Sequence, residues 1–193
     1  MKLKKLISII FLTIVLVSLS FIDVNARKQG GKLINGPRNI LYTVTPDAQD
    51  FVPNINAAVR NWMYTGWDNP IYMQPVSSTV GSTIDIYSIM ADTASVAETY
   101  FFNSENRRQN FTSNYWYTVI MINDLYKYDY SINHDAVMAH EFGHVLGLDE
   151  NCDDSKPRIC NARSIMYPYS EGHKVSRPQY IDNEEVVELY GRY

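Results

Sequence analysis

His140 and His144 stand four residues apart, with Glu141 directly after the first, in the run His140-Glu141-Phe142-Gly143-His144-Val145-Leu146-Gly147. On a helix that separation is about one turn, so both imidazoles lie on one face and can bind a single zinc ion. Glu141 adjoins the first ligand, where its carboxylate can reach a water acidified by the metal and act as general base in attack on a carbonyl. The competing reading is a pair of histidines on an ordinary helix, satisfied by polar partners at its surface. Gly147 falls three residues after the second His, where a helix that must stop and reverse needs a left-handed residue. The chain beyond it is thereby turned back toward the metal.

With Ser164-Ile165-Met166-Tyr167-Pro168-Tyr169, this pattern resembles the metzincin zinc endopeptidases, whose consensus runs through that Gly to a third ligand and adds a methionine turn. Within them the chain is most similar to a matrixin-type catalytic domain. Ile40 to Trp62 matches the first strand and helix, Ile84-Asp85-Ile86 the third strand, and Leu189-Tyr190-Gly191 the end of a terminal helix. The likeness thus covers most of residues 40 to 191. It implies a secreted endopeptidase with one catalytic zinc, Glu141 as general base, and Met166 packed under the ligands. It also implies a peptide or protein substrate extended along Ala97 to Phe102, with a pocket beside Pro168 and Tyr169 that accepts apolar side chains.

The third ligand departs from the family pattern. Three residues after Gly147 stands Glu150, where the family has His or, in some members, Asp. A carboxylate oxygen ligates zinc at about 2.0–2.2 Å, so Glu150 is the expected ligand beside His140 and His144. Asp149 is its immediate rival, and His173 a more distant one. Pro168 occupies the position where some metzincins carry an extra tyrosine ligand, so that role is not given to Tyr169. Latency through a propeptide cysteine is not expected, because Arg27 to Asn39 is short and has no Cys.

Cys152 and Cys160 follow the proposed third ligand and flank a Pro-containing loop. In an exported chain they are expected to form a disulfide, worth about 2–3 kcal/mol for so small a loop; two free thiols are the alternative. Asp149, Glu150, Asp153 and Asp154 offer oxygen ligands for calcium, but their spacing lacks the alternation of a calcium loop, and a solvated acidic loop is the preferred reading. Asn110-Phe111-Thr112 is a formal glycosylation sequon.

The elements that must position these residues read as follows. Ile40 to Thr45 is strand-like, and Phe51, Ile55, Ala58, Val59 and Trp62 mark an amphipathic helix from about Ala48 to Tyr64. Ile71 to Gln74, Thr83 to Ile89, Ala97 to Phe102 and Tyr117 to Asn123 are further strands, separated by polar or Pro-containing stretches. The zinc helix runs from about Asn133, a candidate N-cap, to Leu146. An irregular stretch follows to Gln179, then a short helix from about Asp182 to Tyr190. This predicts an α/β (α+β) domain, with a twisted mixed sheet of about five strands backed by two helices. The catalytic domain spans 40–193, divided into subdomains 40–147 and 148–193, with Arg27 to Asn39 as a flexible lead-in.

The whole chain has 193 residues, 46% hydrophobic and 20% charged, with a net charge of -4. Lys2, Lys4 and Lys5, the almost uncharged run Leu6 to Ile22, and Val24-Asn25-Ala26 form a signal-peptide layout, with a cut after Ala26 expected; an uncleaved anchor is the alternative. Cleavage would leave 167 residues, with 14 basic against 20 acidic side chains and a net charge of -6. Nothing in that charge suggests nucleic acid as a partner, no second long apolar run suggests membrane insertion, and a monomer is expected. Two other readings stay open. One is a catalytically silent metzincin-like domain that binds peptide or an envelope component; the other is a zinc hydrolase with a distant ligand such as Glu171 or Glu184.

Overall fold

The computed structural model describes residues 30–153, 159–168 and 173–192. The signal-like segment, Asp154, Tyr169 and Glu171 lie outside the described residues. Six strands form one sheet: β1 (Ile40–Val44), β2 (Met73–Pro75), β3 (Ile84–Ile89), β4 (Ala97–Phe102), β5 (Arg108–Gln109) and β6 (Tyr117–Asn123). Their order is β2-β1-β3-β6-β4-β5. The β1, β2, β3 and β6 strands run parallel to one another, whereas β4 is antiparallel to both β6 and β5. The expected count of about five strands is corrected to six. The additional strand, β5, is two polar residues long and lies in a stretch that reads as a separator, because so short an edge strand needs neither apolar alternation nor β-branched side chains.

Three α-helices accompany the sheet among the described residues: α1 (Val52–Met63), α2 (His134–Val145) and α3 (Tyr180–Tyr190). Pro46–Phe51 forms a 3-10 turn ahead of α1, with Pro46 at its start, where the missing N–H costs nothing. Ile55, Ala58, Val59 and Trp62 make the buried face of α1, while α2 is buried on nearly every side, from Ala136 to Gly143. An amphipathic helix lies at a surface; one buried all round lies between layers. Accordingly α2 packs between α1 and the rest of the domain, and Trp62 Nε1 donates to the Ala139 carbonyl at 2.7 Å. The core joins Ile40, Ile84, Ile86 and Ile120 of the sheet to Ile55, Trp62, Met138 and Phe142 of the helices.

Two segments differ from expectation. Residues 30 to 39, read as a flexible lead-in, are bound to the domain from Gly30 onward. Gly30 N–H donates to the Gly147 carbonyl at 3.0 Å, Gly31 N–H to the Phe111 carbonyl at 2.6 Å, and Leu33 is buried beside a parallel bridge to Tyr115. These partners lie some 80 to 117 positions away, so no local pattern announces them. The stretch expected to be irregular after Leu148 contains a two-stranded pair, β7 (Cys152–Asp153) and β8 (Ile159–Cys160), with Cys152 opposite Cys160. Those two cysteines are joined in a disulfide. Among the described residues no helix is long and apolar enough to cross a membrane.

Candidate metal centre

Helix α2 starts on Asn133, whose side chain accepts the N–H of Ala136 at 3.2 Å, and ends on Gly147 at φ 89. Gly147 N–H donates to the His144 carbonyl at 2.9 Å and Leu148 N–H to the Gly143 carbonyl at 3.0 Å, the paired bonds of a Schellman stop. The backbone therefore reverses directly after His144. A side chain at Gly147 would be strained by the positive φ, and its Cβ would lie 2.6 Å from the Gly31 carbonyl oxygen.

That reversal brings Glu150 back under the helix. Glu150 Oε1 lies 3.6 Å from His140 Nε2 and 3.6 Å from His144 Nε2. These three residues form a group that could hold a metal ion. Two details of the donor set favour a cation. His140 Nδ1 is 3.0 Å from the Ile165 carbonyl and His144 Nδ1 is 2.9 Å from the Leu148 carbonyl, so each ring can donate from Nδ1 and present a lone pair on Nε2. Among the described residues Glu150 Oε2 is buried with no hydrogen-bond partner, a costly arrangement for a carboxylate unless a cation is its neighbour.

Electrostatics point the same way. At Glu150, burial raises the carboxyl pKa, but hydrogen bonding and charge from His140 and His144 outweigh it and hold the group at about 2. At His144, burial disfavours the imidazolium, yet Glu150 and then Glu141 prevail and raise it to about 9. A proton on His144 and a divalent cation bound by this group would compete for the same place. Uptake of such a cation below about pH 9 should displace that proton. Affinity should therefore climb with pH, by up to about tenfold per pH unit, and level off as His144 loses its proton unaided. Metal titrations at several pH values, with proton release measured by calorimetry in two buffers, check this; an affinity flat across roughly pH 6 to 8 would contradict it.

The remaining candidates fall into place around this group. Glu141 is almost fully buried, and its Oε2 accepts the Thr99 hydroxyl at 2.7 Å. Met166 is fully buried beneath α2; a Cβ on Gly143 would lie 2.2 Å from its sulfur, so the glycine makes room for it. Asp149 is exposed and turns to the Glu150 N–H at 2.7 Å, outside the group that could hold a metal ion. His173 is also outside that group, although its ring stands 5.8 Å from those of His140 and Tyr167. Burial first, then His140, pushes the His173 imidazole down to about 4. Pro168 lines the cleft, and Tyr169 lies outside the described residues.

Sequence reasoning missed two supports. Thr99 is one. The other is Asp182, wholly buried at the start of α3, which accepts from Ser164 Oγ and, at 3.1 Å, from Ile165 N–H. Ile165 is the residue whose carbonyl faces His140 Nδ1, so Asp182 supports His140 through one intervening residue. A usable sequence signal existed for Asp182: Gln179 and Asp182 form a capping box, with Gln179 N–H donating to Asp182 at 2.7 Å. For Thr99 there was none.

The site opens into a cleft of about 700 Å³ bounded by β4 on one side and by Tyr167, Pro168 and His173 on another. Strand β5 covers β4 only at Phe101 and Phe102, so the edge from Ala97 to Tyr100 has no strand partner on that side among the described residues. Fold and site together define an α+β protein with a His-His-Glu group suited to a metal ion and a further carboxylate beside it. Neither a protein-family model nor a curated protein matches the chain.

Proposed function

We propose that the chain is an exported zinc-dependent endopeptidase of metzincin type. The observation that carries this reading is the convergence of His140, His144 and Glu150 at 3.6 Å spacings, with the Glu141 carboxylate in the same cleft. About 3.3 Å separates two ligand atoms of a tetrahedral zinc, close to that spacing, and a donor set of two imidazoles and one carboxylate suits the metal. Bound there, zinc supplies a Lewis acid that acidifies water and polarises a peptide carbonyl.

The residues of the chain do the rest. The open edge of β4 offers backbone groups to an extended peptide, and generic affinity comes from those hydrogen bonds. Glu141, adjacent to His140 on a rigid helix, takes the proton from water and returns it to the leaving amine. Tyr167, Pro168 and His173 form the described part of the wall that meets substrate side chains. The disulfide joins the chain just beyond Glu150 to the segment leading to Met166, which restrains the loop bearing the carboxylate ligand.

The purified protein should contain about one zinc per chain and cleave casein or members of a peptide library. A chelator should abolish cleavage, and added zinc should restore it. Cleavage indifferent to chelation would overturn the reading, and a zinc-loaded protein that binds peptides without cutting them would identify a silent binding domain.

A further inference from the structure

Thr99 lies on β4 opposite Ile120 of β6, on the sheet face turned toward α2. Its hydroxyl has one proton and, among the described residues, two acceptors in range, both on Glu141: the carboxylate Oε2 at 2.7 Å and the backbone carbonyl at 3.3 Å. The shorter contact takes the proton, because a charged acceptor binds it more strongly. A carboxylate on a fixed helix can still rotate about its last torsion, which is broad for Glu, and rotation exchanges the oxygen presented to the cleft.

We infer that Thr99 is a positioning residue for the base: by holding Oε2 it sets the carboxylate plane and leaves proton abstraction to Oε1. This rests on the reading of Glu141 as general base. It also places the base and the substrate on one element. The strand whose open edge runs from Ala97 to Tyr100 carries, at its centre, the hydroxyl that orients Glu141. A peptide seated on that edge is therefore referenced to the reacting oxygen through a single rigid strand, and a misplacement of about 1 Å in such a geometry can cost on the order of 100-fold in rate.

The test compares Thr99→Val, which keeps the shape of the side chain and removes the hydroxyl, with Thr99→Ser, which keeps the hydroxyl. Each is assayed with a peptide the parent cleaves, reading kcat and KM separately and measuring bound zinc, with Glu141→Ala alongside. Thr99→Val should lose about 10- to 100-fold in kcat with KM and zinc content unchanged, and Thr99→Ser should stay within about threefold of the parent. Parental kcat in Thr99→Val would overturn the inference, as would a loss confined to KM or an equal loss in Thr99→Ser. An active Glu141→Ala would instead overturn the assignment of the base itself, so the two failures are distinguishable.

Discussion

Replacing Glu141 by Gln should lower kcat on a cleavable peptide by about 100- to 10,000-fold while zinc content and KM stay at parental values. Glutamine has nearly the same shape, and its amide oxygen can still accept the Thr99 hydroxyl that now binds Glu141 Oε2 at 2.7 Å. What it lacks is the ability to take a proton. The substitution therefore removes the base and little else, and metal analysis beside steady-state kinetics separates the two roles. Parental kcat in Glu141→Gln would remove Glu141 from proton transfer. Loss of zinc in that variant would mean that Glu141 supports the metal site rather than the chemistry.

The second large effect is expected at Glu150. Glu150→Ala should weaken zinc binding by more than about 100-fold, beyond the loss typical of outer partners, because it removes one of the three proposed protein ligands. Asp149→Ala should leave zinc binding near the parental level, since Asp149 is exposed and turned to the Glu150 N–H. Competition titrations with a chromophoric chelator measure both affinities. Full zinc affinity in Glu150→Ala would dismiss the carboxylate as a ligand and direct attention to His173, whose ring stands 5.8 Å from that of His140. The pair of variants thus decides between the adjacent acids, a choice the sequence alone left open.

Much of the architecture was readable because its determinants are local. The amphipathic repeat from Phe51 to Trp62 announced α1, and β-branched and aromatic runs announced β1, β3, β4 and β6. Asn133 and Gly147 marked the two ends of α2, one by its side-chain acceptor and the other by its freedom to take a positive φ. The bound segment at Gly30 to Leu33 was not readable, because it follows no periodicity and depends on Phe111, Tyr115 and Gly147. The polar pair Arg108-Gln109 was hidden for a similar reason: it is a strand only because Phe101 and Phe102 lie beside it.

The candidate site divides along the same line. Two histidines one helical turn apart, a carboxylate between them and a glycine that ends the helix are sequence facts, since backbone geometry over a few residues fixes their relative directions. Which acid faces the imidazoles, which threonine holds Glu141, and which aspartate supports the peptide behind His140 were decided by tertiary structure. Glu150 and Asp149 are chemically similar neighbours, and only the reversal at Gly147 turns one inward and leaves the other in solvent. Thr99 and Asp182 reach their partners across 42 and 17 positions, through sheet and helix packing that no short window of sequence contains.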